Sequence, residues 1–243
     1  MLKIDLHLHT IYSGHAQCTI VEYINRAKEL KMKMIGFSDH GQNMRGCLVN
    51  DMYLGTLDRI PEVVNGIRIL RGIEANIIDK NGSLDVEDRI ISEKLDYVMA
   101  AIHSESYEYK DKNYSKKENT AAVIKAIKSG KVDILSHPFY EFFPVDTGRI
   151  FEEACRQEIL LEVNLGVIKR RKTDLKTMAN LKQMVQTAKK FNKKLIVGSD
   201  AHNIWDMADD SGLKKIKNEI GLTDKMTINN YPKELMQQLR IKD

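Results

Sequence analysis

Residues 2–10 read Leu2-Lys3-Ile4-Asp5-Leu6-His7-Leu8-His9-Thr10, and the fold is decided by this stretch. Apolar and polar residues alternate through it, which is the period of a β-strand with two unlike faces. His7 and His9 lie two positions apart, so both point to one side, with Asp5 expected below them. Histidine is the commonest metal ligand, and two imidazoles on one strand face can share an ion.

Working outward, the same unit recurs. Strands are expected at 2–8, 34–38, 67–78, 97–102, 133–136, 160–164 and 195–198. Helical patterns lie between and after them, at 20–31, 51–64, 85–92, 116–129, 148–156, 174–191 and about 205–220. In 174–191, for example, Leu175, Met178, Leu181, Val185 and Ala188 recur at three-to-four-residue spacing. Strand–helix alternation indicates βαβ units and a parallel sheet. About seven strands in 243 residues predict an α/β fold in one domain, 1–243, with the sheet closed or nearly closed into a barrel. No internal repeat or Pro/Gly/Ser-rich linker interrupts it.

All seven histidines, His7, His9, His15, His40, His103, His137 and His202, fall at or just after strand ends, outside the helical patterns. The C-terminal strand ends of a parallel barrel meet on one face, where active sites sit. The histidines are therefore expected to converge. Two acids join them. Glu74 lies among apolar residues in Ile69-Leu70-Arg71-Gly72-Ile73-Glu74-Ala75, where an unpaired carboxylate is costly to bury. Asp200 precedes His202 in Val197-Gly198-Ser199-Asp200-Ala201-His202. A salt bridge from Glu74 to Arg71, and a helix N-cap for Asp200, are the ordinary readings. Beside so many histidines, metal ligation is the stronger one.

Composition excludes other classes. No stretch approaches the roughly 18–20 consecutive apolar residues of a membrane span. The opening residues lack the charged-then-apolar pattern of a secretory leader. Cys18, Cys47 and Cys155 are far apart, which argues against a disulfide framework or a thiolate zinc site and makes the cytoplasm the expected compartment. The net charge is +4, with basic runs at 110–117, 169–172, 189–194 and 214–217. These read as solvated faces and loops. They lack the interleaved aromatics of a nucleic-acid groove, so nucleic acid is not an expected partner.

Taken together, Asp5-Leu6-His7-Leu8-His9-Thr10 with His15, Ser38-Asp39-His40-Gly41, Gly72-Ile73-Glu74, His103, Ser136-His137-Pro138 and Gly198-Ser199-Asp200-Ala201-His202 resemble the motifs of the polymerase-and-histidinol-phosphatase (PHP) superfamily, in its small stand-alone phosphatase branch. The resemblance implies a distorted seven-stranded (β/α) TIM-like barrel with three divalent metal ions. His7, His9, Glu74 and Asp200 would hold the first. Glu74 would bridge to a second, held also by His103 and His137. His15, His40 and His202 would hold the third. Glu74, Asp200 and His202 would carry the catalytic roles. One departure bears on substrate: no proline follows soon after His9, unlike the PHP-type protein-tyrosine phosphatases.

Histidine and carboxylate ligands without thiolate suit zinc first, then manganese or iron(II). Three such ions less two carboxylates leave about +4, which favours an anionic substrate. A water bridging two ions would be hydroxide near neutral pH and could attack phosphorus. The expected activity is hydrolysis of phosphate monoesters on a small phosphorylated molecule. Histidinol phosphate is a specific alternative, and a 3′–5′ exonuclease or an amidohydrolase-like metal hydrolase are the enzymatic rivals. Arg45, Asn164, Lys169, Arg170 and Arg171 lie on the same face as candidates for contacting phosphate. Asp5 and Asp39 are candidate acceptors for ligand imidazole N–H groups. Nothing in the sequence sets an oligomeric state.

Overall fold

The alternating first stretch forms strand β1, Ile4–Leu8, every residue of it buried. The computed structural model describes residues 2–106, 114–171 and 174–241. In it β1 pairs in parallel with β2 (Met34–Phe37), and β2 with β4 (Ile67–Asn76). The parallel order continues through β5 (Tyr97–Ala101), β6 (Ile134–Leu135), β7 (Leu160–Asn164) and β8 (Ile196–Gly198). Beyond β8 the chain returns to β1: His9 N donates to Ala201 O at 2.9 Å and Ala201 N to His7 O at 3.2 Å. The parallel strands thus close almost completely into the expected barrel. A short strand β3 (Val63–Val64) pairs antiparallel with β4 at its edge.

The register of β1 shifts between Asp5 and Leu8. This bulge places two residues against one on β2 and breaks the period of two. Ile4 and Leu6 pack in the inward cluster, whereas Leu8 packs outward with Tyr23, Ile35 and Phe37. Asp5 therefore does not sit below His7. It accepts instead from the backbone N–H groups of Ser199 and Ala208, at 3.0 and 3.1 Å, at the seam with β8. Tyr97 lies across the interior, where its hydroxyl donates to Leu6 O at 2.6 Å. A Cβ at Gly72 would fall 2.3 Å from the Tyr97 ring, so glycine there is a requirement of packing.

Helices cover the outside. α1 (Ile20–Glu29) opens with a capping box between Thr19 and Glu22. α2 (Asp51–Gly55) and α3 (Asp88–Lys94) follow, then α4 (Lys116–Lys128) and α5 (Thr147–Arg156). α6 (Leu165–Arg171), α7 (Leu175–Lys190), α8 (Ser211–Ile216) and α9 (Pro232–Gln238) complete the order among the described residues. α7 starts at an Asp174 N-cap and buries Leu181, Met184, Val185 and Ala188. Among the described residues no helix is long and apolar enough to cross a membrane.

Some boundaries differ from expectation. The helix expected at 51–64 ends at Gly55, followed by a 3-10 turn at Leu57–Arg59. Pro61 forces Ile60 into extended backbone and starts β3. The helix expected at 205–220 is reduced to α8, since Ala208 takes a left-handed φ of +56°. Residues 169–171 of the basic run after β7 lie in helix α6. α9 was not expected at all. It begins with Pro232 and plugs the N-terminal end of the barrel with Leu235 and Met236.

Candidate metal centre

Strand ends bring the expected residues together around Glu74, which is fully buried on β4. Glu74 Oε1 lies 2.9 Å from His137 Nε2 and 3.4 Å from His103 Nε2. Its Oε2 lies 2.9 Å from His40 Nδ1, 3.4 Å from His7 Nε2 and 3.5 Å from His9 Nε2. The two carboxylate oxygens thus face two sets of imidazoles. Asp200 Oδ1 adds to one set, 3.5 Å from His7 Nε2 and 3.3 Å from His9 Nε2. Arg71, the ordinary partner for Glu74, instead forms a two-pronged pair with Asp96.

Nearer to solvent, His15 Nε2 lies 2.9 Å from His202 Nε2. The His9 ring stands 4.3 Å from the rings of both His40 and His202. Among the described residues, three groups keep their ligand atoms within 4.8 Å of one another: His7 with His9 and Asp200, His40 with Glu74 and His103, and His9 with His40 and His202. His40 therefore reaches Glu74 as well as the outer histidines. His137 and Asp200 hold left-handed backbone, with φ of +34° and +55°. Such conformations are uncommon away from glycine and concentrate at functional sites.

Hydrogen bonds behind the rings set which nitrogen faces inward. His103 Nδ1 is 2.8 Å from Asn76 Oδ1, and the Asn76 amide nitrogen is held by Asp85 at 2.6 Å, so Nδ1 of His103 carries the proton. Ser13 donates to Asp39 at 2.7 Å, which leaves its oxygen to accept from His9 Nδ1 at 3.0 Å. His7 Nδ1 meets Glu162 Oε1 at 2.6 Å. Asp39 thus acts through Ser13 and bonds no imidazole among the described residues, while Asp5 accepts from the backbone N–H groups of His7, Ser199 and Ala208. Ser13, Asn76, Asp85 and Glu162 were not singled out in the sequence. Only Glu162 carries a signal there, as an acid in a buried strand.

Behind the His7 and His9 rings Nδ1 is engaged, and their Nε2 atoms face each other, 3.0 Å apart. Glu74 Oε2 and His40 Nδ1 are buried and make no hydrogen bond despite their close approach. Buried polar atoms are rarely left this way. Imidazole nitrogens and carboxylate oxygens converging on shared points fit divalent cations. The charge states agree at His9, His40, Glu74 and Asp200. Burial, aided by His202 and His40, holds His9 well below the usual imidazole range, and burial brings His40 down to about 4. Burial alone would raise Glu74 and Asp200, but the imidazoles around them, His7 foremost, hold both carboxyls well below their usual range. Unprotonated ligands are what a metal requires. At His7 and His137 burial alone would lower the imidazole, but the neighbouring carboxylates, Glu162 foremost for His7 and Glu74 for His137, hold both above the usual range, so an incoming cation would replace a proton there.

Above the cluster opens a cleft of about 550 Å³, with Met44, Phe142 and Val167 as apolar walls and Arg45, Glu105 and Arg170 as charged ones. Arg170 reaches to 3.2 Å from Asp200 Oδ2. Of the phosphate-contact candidates, Arg45 and Arg170 line this cleft. Asn164 does not: it is buried, its Oδ1 accepts from Val167 N at 2.8 Å and its amide donates to Glu162, so it starts α6. Lys169 turns aside to Asp206 at 2.7 Å and Asp209 at 3.5 Å. The side chain of Arg171 lies outside the described residues.

Residues 5–172 match the family model described as "PHP domain". The chain belongs to the PHP family. Asp200 and His202 follow the matched segment, and its relatives span them. A probable phosphatase of Clostridium acetobutylicum is 31% identical over 239 residues, covering 98% of this PHP protein and 95% of the relative. A probable phosphatase of Thermoanaerobacter sp. strain X514 is 35% identical over 243 residues, covering 99% and 96%. Among solved structures, a histidinol phosphate phosphatase from Lactococcus lactis, complexed with zinc, L-histidinol and phosphate, is similar with a TM-score of 0.60. At 16% identity over 91% of this chain and 94% of that one, it shows the shared fold.

Proposed function

We propose that this PHP protein is a metal-dependent phosphatase that hydrolyses phosphate monoesters of small molecules, with 1–243 acting as one unit. The observation that carries the reading is Glu74: a fully buried carboxylate whose two oxygens face separate sets of histidines. In this reading Glu74 would serve two ion sites, one at each carboxylate oxygen. His7, His9 and Asp200 complete the first site, and His103 and His137 the second. His15, His40 and His202 form a third, with His40 also within reach of Glu74. Zinc is the first candidate, in line with the ion held by the Lactococcus fold-mate; manganese and iron(II) suit the same ligands. When bound, such ions supply an acidified water as nucleophile and positive charge opposite the phosphoryl oxygens.

The chain's own residues do the rest. Asp200 and Glu74 stay ionised and bring the net charge of the loaded centre down without abolishing it. Arg45 and Arg170 offer guanidinium groups at the cleft wall, suited to two-pronged recognition of phosphate. Arg170 pairs with Asp200 from an exposed position and would turn toward an incoming anion. Met44, Phe142 and Val167 would contact the ester's alcohol portion.

A panel assay tests the reading. Metal-loaded protein should release phosphate from p-nitrophenyl phosphate and from some of a set of small phosphomonoesters that includes histidinol phosphate. Chelator-stripped protein should not. Loaded protein that cleaves amides or single-stranded DNA, and no monoester, would overturn the assignment.

A further inference from the structure

Behind the ligand candidates lies a carboxylate that belongs to none of the groups able to hold an ion: Glu162, on β7, with no exposed surface. Its Oε1 is 2.6 Å from His7 Nδ1. Its Oε2 accepts from the backbone N–H of His137 at 2.9 Å and from the Asn164 amide at 3.0 Å. One side chain therefore touches both halves of the cluster. His7 faces His9 and Asp200; His137 faces Glu74 Oε1 and His103.

Each contact has a consequence. A carboxylate accepting from Nδ1–H fixes the tautomer of His7, leaves its Nε2 lone pair inward and strengthens it as a donor to metal. The bond to His137 N holds a left-handed backbone position, φ +34°, that an L-residue otherwise avoids. That backbone aims the imidazole at Glu74. Bonds to an ionised acceptor are of the stronger kind. The neighbouring strand makes room for this group. A Cβ on Gly198 would lie 2.1 Å from Glu162 Oε1 and 2.9 Å from the His7 Cβ. Only a residue without a side chain fits beside the pair.

We propose that Glu162 is a positioning residue that sets His7 and His137 together, so that the sites on either side of Glu74 lose affinity together when it is altered. The proposal rests on the reading of the cluster as a metal centre. Glutamine at 162 has one acceptor oxygen and cannot accept from His7 Nδ1 and His137 N at once. Gly198→Ala disturbs the same contact without removing a carboxylate.

The experiment titrates chelator-stripped wild type, Glu162→Gln, Glu162→Asp and Gly198→Ala with Zn²⁺ against a competing chelator. It reads bound ions per chain and their affinities, and the melting temperature with and without Zn²⁺. Wild type is expected to bind more than one ion. Glu162→Gln and Gly198→Ala should weaken two of the sites by about 10–100-fold, the usual cost of losing such a support. Glu162→Asp, which keeps the charge, should lie between. Stripped Glu162→Gln should melt close to stripped wild type, with the stabilisation by Zn²⁺ reduced, whereas Gly198→Ala, which forces a buried clash, is compared by its Zn²⁺ affinities alone. Wild-type affinity in both Glu162→Gln and Gly198→Ala overturns the proposal and leaves the metal centre standing. So does weakening of a single site, or equal destabilisation of Glu162→Gln with and without Zn²⁺. A wild type that binds no ion fails the metal reading itself.

Discussion

The floor and the rim of the cleft are built differently. On the floor, His7, His9, Glu74, His103, His137 and Asp200 are buried, and three of the imidazoles are fixed from behind by Glu162, Ser13 and Asn76. At the rim, the His202 side chain is 22% exposed and that of Arg170 59% exposed. The floor is held by the strands and by the bonds behind its imidazoles. The rim's long side chains keep rotamer freedom that a substrate must remove. In the proposed reading the chemistry is the task of the floor and the choice of substrate that of the rim.

That contrast can be broken by mutation. His9→Ala, on the floor, should lower kcat/KM by more than about 100-fold, above the usual cost of losing a mere support to a ligand. Bound metal should fall with it, as elemental analysis would show. His15→Ala, at the rim, should release one ion per chain while the others remain, with a smaller loss of activity. A floor-like collapse of metal content in His15→Ala would erase the distinction. Arg45→Ala and Arg170→Ala should each raise KM by roughly 10-fold with a lesser change in kcat, the scale of one charge-assisted hydrogen bond. Lys169→Ala, whose ammonium is engaged by Asp206 and Asp209, should leave KM unchanged.

The smallest effect on turnover is expected at the far end of the barrel, where burial raises the Asp133 carboxyl from 3.8 to about 6. The folded state then keeps a proton that the unfolded chain releases. Stability from this group is full below about pH 4 and is lost as pH rises toward 6. Asp133→Asn should flatten that fall, by roughly 2–3 kcal/mol at most, in melting curves across the range. Its kcat should match wild type. A steeper fall in the variant would contradict the sign.

Much of the floor was legible because strand rules are strong. His7 and His9 share a face by period, and Glu74 stood out as an acid among apolar neighbours. Glu162 shows that same signal in Leu160–Asn164 but has no histidine beside it in sequence; its partners come from β1 and from the turn after β6. The bulge in β1 left no mark on the alternating pattern, which is why Asp5 was expected on the wrong side. Asn164 was read as a phosphate contact because it ends a strand. Asparagine before a short apolar run is equally an N-terminal signal for a helix, and α6 follows it. The rim was least legible. Basic residues after strands are common, and only the fold separates Arg170, in the cleft, from Lys169, beside it.

The central claim is that Glu74 joins two metal sites into one hydrolytic centre. Its most direct test is phosphate release from p-nitrophenyl phosphate, measured together with metal content, in wild type and Glu74→Gln. Wild type should carry more than one divalent ion per chain and turn over, whereas Glu74→Gln should lose bound metal and activity together. Full activity in a correctly folded Glu74→Gln variant would contradict the account.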